Sequence, residues 1–305
     1  MKHMIWAAFF ICSSIGGADL LHFAMVSSAE TASTPVLVGP GTVSTDAREF
    51  ATSISPAGDA LYFNRIDEPE VRHIWVSNRV GEHWGDAEKM AFSDNRYSDV
   101  DPFVSRSGDR LYFSSDRPVP GTQTKEPTED NNTWYAPLDG DNWGAPVFAG
   151  TAINSSADET FFSESATGQV IFARFGEGSG RERSTSLMTA QRNGRGFSDL
   201  RKITTSPAFL RLSNPAISPD GKLIVAAALA DGNPQLYFSR QRANGEWREF
   251  QLLPAPINQP QFGQFAPYIA NDGCTLYFSS NRSAYGAGGY SIFSFHLPAP
   301  TLNDR

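Results

Sequence analysis

One ten-residue pattern, written five times along the chain, restricts its fold more than any other feature. ISPAGDALYF at 54–63 returns as VSRSGDRLYF at 104–113, ISPDGKLIVA at 217–226 and IANDGCTLYF at 269–278, with a degenerate SESATGQVIF at 163–172. The marker glycines Gly58, Gly108, Gly168, Gly221 and Gly273 are spaced 50, 60, 53 and 52 residues apart. Such a period belongs to arrays in which each copy is one supersecondary unit and neighbours bury each other's apolar faces. In each copy a strand ends at a tight Gly turn, where glycine takes positive φ, and a second apolar strand follows. A third strand is expected from His73, Thr133, Leu187, Gln235 and Ser291. In four copies it runs into a glycine-bearing turn with an aromatic residue, Trp84, Trp143, Phe197 or Trp247, and a short fourth strand is expected at 89–92, 146–149, 200–203 and 251–253. Because these aromatics recur with the period, they read as packing residues of the blade edge. Four antiparallel strands per copy make a blade, so the expected fold is all-β, a five-bladed β-propeller with blades at about 49–92, 98–150, 157–204, 210–254 and 262–297.

The fifth copy has no fourth strand of its own, because only a Pro-bearing tail, 298–305, follows Leu297. The segment 36–50 has the layout of the strand and connection that precede later blades, such as 252–265. Val36 to Val38 is therefore expected to complete the last blade and close the ring, which removes the open seam between first and last blades.

Ahead of the ring, Lys2 and His3, an apolar stretch from Ile5 to Ile15, and the small residues Ser27, Ser28 and Ala29 read as an export signal. The expected organisation is a cleaved leader at 1–29, a linker at 30–35, the propeller at 36–297 and the tail. The mature chain then retains Cys274 alone, which cannot form an internal disulfide. A net charge of −8 works against attachment to nucleic acid or an anionic membrane. The expectation is a periplasmic or secreted monomer without membrane insertion of the mature chain.

The pattern Ser-Pro-Asp-Gly, a spacer, then Leu-Tyr-Phe-Ser-Ser-Asp-Arg is carried by residues 217–222 for its first half and by 111–117 and 276–282 for its second. It resembles the WD40-like repeat of TolB-type propellers, and the resemblance spans nearly all of 36–297. It implies a propeller that binds a protein or a cell-envelope component through one mouth of the ring. The six blades and separate N-terminal domain of TolB itself have no counterpart in this sequence.

Candidate site residues follow from the expected ring. Just before the innermost strands stand Glu49, Asp99 with Asp101, Asp158 with Glu159, Asn214 and Gln264. The second strand of each blade returns to the same mouth, bringing Arg65, Arg117, Arg174 and Arg282 beside them. Acid and arginine paired in this way hold loops, and a carboxylate so paired is a poor proton donor. That is the preferred reading. Alternatively, Glu49, Asp101 and Glu159 on successive blades could divide the acid and base roles of a glycoside hydrolase. A metal-dependent hydrolase is a further alternative, with Ca²⁺ the ion that an oxygen-rich ring would suit. No cofactor is expected otherwise, and His73, His83 and His296 are too dispersed for a zinc site. Blade four departs from the pattern, with Ala226, Ala227, Ala228 and Leu229 where other copies carry polar residues and arginine. Long insertions at 118–132 and 175–185 are expected to shape the binding mouth.

Overall fold

The structure, a computed structural model, describes residues 34–66, 71–176, 183–204, 211–230, 232–282 and 289–297. The expected leader, residues 30–33, the tail and part of the blade-three insertion lie outside them. The described residues form five antiparallel sheets and no helix. Blade one is β2 (Arg48–Ile54), β3 (Ala60–Ile66), β4 (His73–Val80) and β5 (His83–Lys89). Blade two is β6 (Asp99–Val104), β7 (Arg110–Ser115), β8 (Asn132–Asp139) and β10 (Val147–Phe148), with the two-residue β9 (Asn142–Trp143) also paired to β8. Blade three holds β11 (Asp158–Glu164), β12 (Gln169–Phe175), β13 (Thr185–Asn193) and β14 (Gly196–Lys202). Blade four holds β15 (Ser213–Ile217), β16 (Leu223–Ala230), β17 (Asn233–Arg240) and β18 (Gln251–Leu252). Blade five is β19 (Gln264–Ile269), β20 (Thr275–Ser280), β21 (Ser291–His296) and, from the start of the ring, β1 (Val36–Leu37). The innermost strands pack in a circle: β2 on β6, β6 on β11, β11 on β15, β15 on β19, and β19 back on β2.

The repeat pattern has a local cause in each turn. All five marker glycines have φ between 69° and 80°, a region that glycine enters without steric cost. In four blades the serine three residues earlier turns its Oγ back to the chain and accepts a backbone N–H from beyond the turn, those of Ala60, Arg110, Gln169 and Leu223. Asp272 does the same work in blade five, accepting from Cys274 and Thr275. The aromatics of the third turn pack as their period suggests: Trp84 and Phe197 against the largest apolar cluster, Trp143 and Trp247 against two others.

Two of the expected fourth strands begin earlier than expected. In blades one and three the strand starts at the turn itself, His83 and Gly196, and covers Trp84 and Phe197, where 89–92 and 200–203 were expected. The hairpins are two-residue loops whose ladders begin at once, Val80 opposite His83 and Asn193 opposite Gly196.

Every innermost strand carries a bulge at one equivalent place. The cross-strand register slips between Phe50 and Thr52, Val100 and Phe103, Thr160 and Ser163, Ser213 and Ala216, and Phe265 and Tyr268. Within each slip lies one non-glycine residue at positive φ: Ala51, Asp101, Phe161, Asn214 and Ala266, each seven positions before its marker glycine. A bulge bends its strand and re-aims the side chains around it.

Ring closure rests on a short seam, with Val36 opposite Ser294, Leu37 opposite Phe293, and the Val38 N–H donating to the Ile292 carbonyl at 2.9 Å. Val38 is buried, whereas Val36 is 62% exposed. Val38→Pro removes that donor from a packed position and is expected to lower stability by about 2–4 kcal/mol. Val36→Thr should stay within about 0.5 kcal/mol. Urea unfolding followed by tryptophan fluorescence checks both.

Candidate functional site

The starts of the innermost and third strands and the ends of the second strands lie at one end of the ring, the linker mouth, and the Gly turns occupy the other. At the linker mouth the sequence-predicted residues separate into two tiers. Nine positions before the marker glycines stand Glu49, Asp99, Glu159, Leu212 and Gln264; two positions further on is the bulge tier of Ala51, Asp101, Phe161, Asn214 and Ala266.

The outer tier is a set of clamps. Glu49 receives Arg65 Nε at 3.0 Å together with the hydroxyl and N–H of Thr45. Glu159 receives Arg174 Nε at 2.7 Å together with the hydroxyl and N–H of Ser155. Asp99 receives Arg117 Nη2 at 2.6 Å and Ser115 Oγ at 2.7 Å. In each case the same guanidinium also donates to a carbonyl of the incoming linker, Thr42, Ile153 or Phe92. Blade five has Gln264 at the acid's place, and the donors of Arg282 go to Ser280 Oγ and to the Pro256 and Ile257 carbonyls. Asp158 pairs with Arg183 and accepts the Asn131 N–H. Burial raises the Glu159 carboxyl and pushes Asp99 up to about 6, against the pull of their arginines and hydroxyls. In blade four, Leu212 stands at the acid's place and Ala228 in the arginine's stretch, both buried in one apolar cluster.

The inner tier surrounds the axis. A cavity of about 20 Å³ lies between the innermost strands, lined on all sides by bulge residues and their successors: Ala51 and Thr52, Asp101 and Pro102, Phe161 and Phe162, Pro215 and Ala216, Ala266 and Pro267. That is room for one or two water-sized groups. Asp101 is the one outlier among the mouth acids. It forms no ion pair within 4 Å among the described residues, accepts the Phe161 N–H, and leaves Oδ1 buried without a partner. Burial pushes its carboxyl up to about 8, only partly opposed by that N–H and by the charge of Arg72. Thr52, which lines the same cavity from the neighbouring blade, also has its Oγ1 buried without a partner. Asn214 shares the tier and is half-buried, while Gln264 lies in the outer tier with Oε1 unpartnered.

Arg106, absent from the predicted set, closes the Gly-turn end. Its Nε donates to the Glu164 carbonyl, Nη2 to those of Ile217 and Ile269, and Nη1 to Asn271 Oδ1, so one guanidinium from blade two reaches blades three, four and five. It lies over the rings of Phe103 and Tyr268 at 5.3 and 5.6 Å. The available signal was the turn itself: Pro56 and Pro219 occupy the equivalent position in two other copies. Among the described residues no three His, Cys, Asp or Glu side chains are grouped so as to hold a metal ion.

No family model matches the chain, and no curated protein sequence matches it. Solved structures do resemble it. A GH43 endo-arabinanase from Bacillus licheniformis aligns at 14% identity over 85% of this chain and 98% of its own, with a TM-score of 0.55. A protein of unknown function from Dyadobacter fermentans aligns at 12% over 88% and 83%, with a TM-score of 0.54. A putative TolB from Agrobacterium tumefaciens aligns at 16% over 82% and 77%, with a TM-score of 0.48. At such identities the likeness is one of fold, the β-propeller.

Two outcomes test this description. Arg174→Ala strands the buried Glu159 and should cost about 3–5 kcal/mol, whereas Glu159→Leu with Arg174→Ala, the blade-four solution, should cost less than that single change. Denaturant unfolding of both variants checks it. For Asp101 the sign follows from linkage. Its folded carboxyl holds a proton near pH 8 that the unfolded chain, at the ordinary 3.8, has released, so this group's contribution to stability falls as pH rises between the two values and levels off above them. Asp101→Asn should therefore be the more stable protein at pH 8, by on the order of a few kcal/mol, with the difference vanishing toward pH 4. Unfolding midpoints across that range are the measurement.

Proposed function

We propose that the chain is an exported, TolB-like propeller that binds a protein or cell-envelope component at its linker mouth and carries out no hydrolysis there. The observation that supports this most is the fate of the acids. Glu49 and Glu159 each accept an arginine, a hydroxyl and a backbone N–H, so their oxygens are occupied within the wall of the ring. A glycosidase needs two carboxyls flanking the scissile bond with the sugar between them. Among the described acids only Asp101 lines the axial cavity, and that cavity is far smaller than a sugar ring.

The rest of the mouth has the character of a contact surface. Half-buried Phe50, Phe265 and Tyr290 form one aromatic cluster where blade five meets blade one, with ring centroids 6.2 and 4.8 Å apart. Exposed Arg48 adjoins it in sequence. Aromatic residues and arginine together supply apolar area and fixed hydrogen bonding to a partner. On blade two, the insertion is fastened at two points: Tyr97 Oη donates to the Lys125 carbonyl at 2.9 Å, and the Thr128 N–H to the Asp116 carbonyl at 2.7 Å. Loops held on a rigid scaffold are a common place for recognition.

The test pairs a capture with an assay. Envelope extract passed over the immobilised wild-type chain should yield a partner that Phe50→Ser/Phe265→Ser fails to retain, and arabinan or other polysaccharides should remain uncleaved. Polysaccharide turnover that Glu159→Gln abolishes, in a variant that still folds, would overturn the reading in favour of the hydrolase.

A further inference from the structure

We propose that Asn193–Gly194 is a site of spontaneous covalent modification, at which the Asn193 side-chain amide is lost through a cyclic imide and the isoaspartate that results loosens the hold between blades two and three. This goes beyond the preceding reading and does not depend on it, since the hairpin that carries the pair lies at the Gly-turn end of the ring and not at the linker mouth.

Asparagine is among the chemically labile residues, most of all before glycine, whose nitrogen no Cβ obstructs. The chain contains two such pairs, Asn193–Gly194 and Asn244–Gly245, and in both the asparagine and the glycine are exposed. A Cβ built on either glycine would meet nothing within 4 Å, so open space surrounds both. What separates the two pairs is hydrogen bonding. At the second pair every reacting group is engaged: Asn244 Oδ1 accepts the Glu246 N–H at 3.1 Å, Nδ2 donates to Glu246 Oε2 at 2.9 Å, and the Gly245 N–H donates to the Arg242 carbonyl at 2.9 Å. At the first pair these groups are uncommitted. The ladder between β13 and β14 ends with Asn193 opposite Gly196, and among the described residues the Gly194 N–H has no acceptor and the Asn193 amide no partner.

The reaction needs no reagent besides water. The Gly194 nitrogen gives up its proton and attacks Asn193 Cγ; the new C–N bond closes a five-membered imide, and the side-chain nitrogen leaves as ammonia. Water then opens the ring at either carbonyl. One opening gives aspartate in the original main chain, the other isoaspartate, whose main chain runs through Cβ and Cγ and is longer by one methylene. The place of the hairpin makes that methylene consequential, because the Gly194 carbonyl accepts Arg110 Nη2 from blade two at 3.2 Å. Arg110 is buried and also donates to Tyr112 Oη, so its position is fixed from its own blade. Lengthening the chain between Asn193 and Gly194 carries the carbonyl away from it and breaks the last ladder pair of the hairpin.

The test uses the full chain, folded in buffer or unfolded in urea, incubated at mildly alkaline pH. Chymotryptic peptides spanning 188–197 and 239–247 are followed by mass spectrometry, with isoaspartate told from aspartate by electron-transfer fragmentation. In urea the two pairs should convert at similar rates. In the folded protein Asn193 should convert about tenfold or more faster than Asn244, whose hydrogen bonds must break first. Protein bearing isoaspartate at 193 should exchange its amide hydrogens faster across 196–202 than fresh protein, whereas Asn193→Gln stored for the same time should not. The proposal is overturned if folded Asn193 stays intact while the unfolded chain reacts, if folded Asn244 converts as fast as Asn193, or if isoaspartate at 193 leaves exchange across 196–202 unchanged.

Discussion

A ring of five sheets is only as secure as the place where its two ends meet, and here that place is a pairing of two residues. Val36 and Leu37 opposite Ser294 and Phe293 could not hold the ring alone, so the seam is sealed at several depths. At the periphery the Val38 N–H extends the pairing to Ile292. Gly39, at φ 51°, then turns the chain so tightly that a Cβ there would meet Val43 at 2.8 Å, and Val43 is fully buried. Arg65 of blade one holds this same turn by the Thr42 and Val43 carbonyls. Nearer the axis, Ser279 Oγ of blade five accepts the Ala51 N–H of blade one, and Tyr268 Oη donates to the Ile54 carbonyl. Each contact is worth little alone; spread over the depth of the wall they make opening the seam a cooperative event.

The clamp arginines explain why so many acids gather at one mouth without forming an active centre. A buried carboxylate must be neutralised, and the guanidinium that neutralises it has donors left over for a linker carbonyl. One pair thus fixes the strand to the segment that leads into it. The chain contains its own control. Blade four fills the same place with Leu212 and Ala228, and the apolar cluster around them includes Ile203, from the end of blade three, and Phe250. That an ion pair and an apolar pair serve interchangeably at equivalent positions argues that the acids are kept for architecture.

How far the sequence discloses this depends on whether a feature requires particular residue types. The Gly turns do, because φ near 75° excludes most side chains and because a serine or aspartate must reach the N–H groups beyond the turn. Blade count, order and closure are legible for that reason. The arginine partners of Glu49, Asp99 and Glu159 are legible as well, since antiparallel strands return them to the same end. The bulge is not: Ala, Asp, Phe, Asn and Ala occupy its positive φ, and nothing in that set marks it. Its effect is to separate Asp99 from Asp101. Two residues apart on a regular strand they would share a face. With the bulge between them, Asp99 meets Arg117 and Asp101 lines the axis, so a single predicted ring becomes two tiers of different character.

The two ends of the axis are therefore unlike, and this couples the cavity to the integrity of the ring. Arg106 draws blades two to five together at the Gly-turn end, but it makes no bond to blade one; there Tyr268 Oη, from blade five, supplies the link. At the other end the bulge tier is tied between neighbouring blades among the described residues, the Asp101 N–H donating to Asn64 Oδ1 and the Ala51 N–H to Ser279 Oγ. The axial cavity is lined from innermost strands on both sides of the seam, by Thr52 on one and Pro267 on the other. Any group that bound the closed ring alone would add its binding free energy to closure. The position of the cavity would thus couple its occupancy to closure by β1, although their residues lie at opposite edges of the blades.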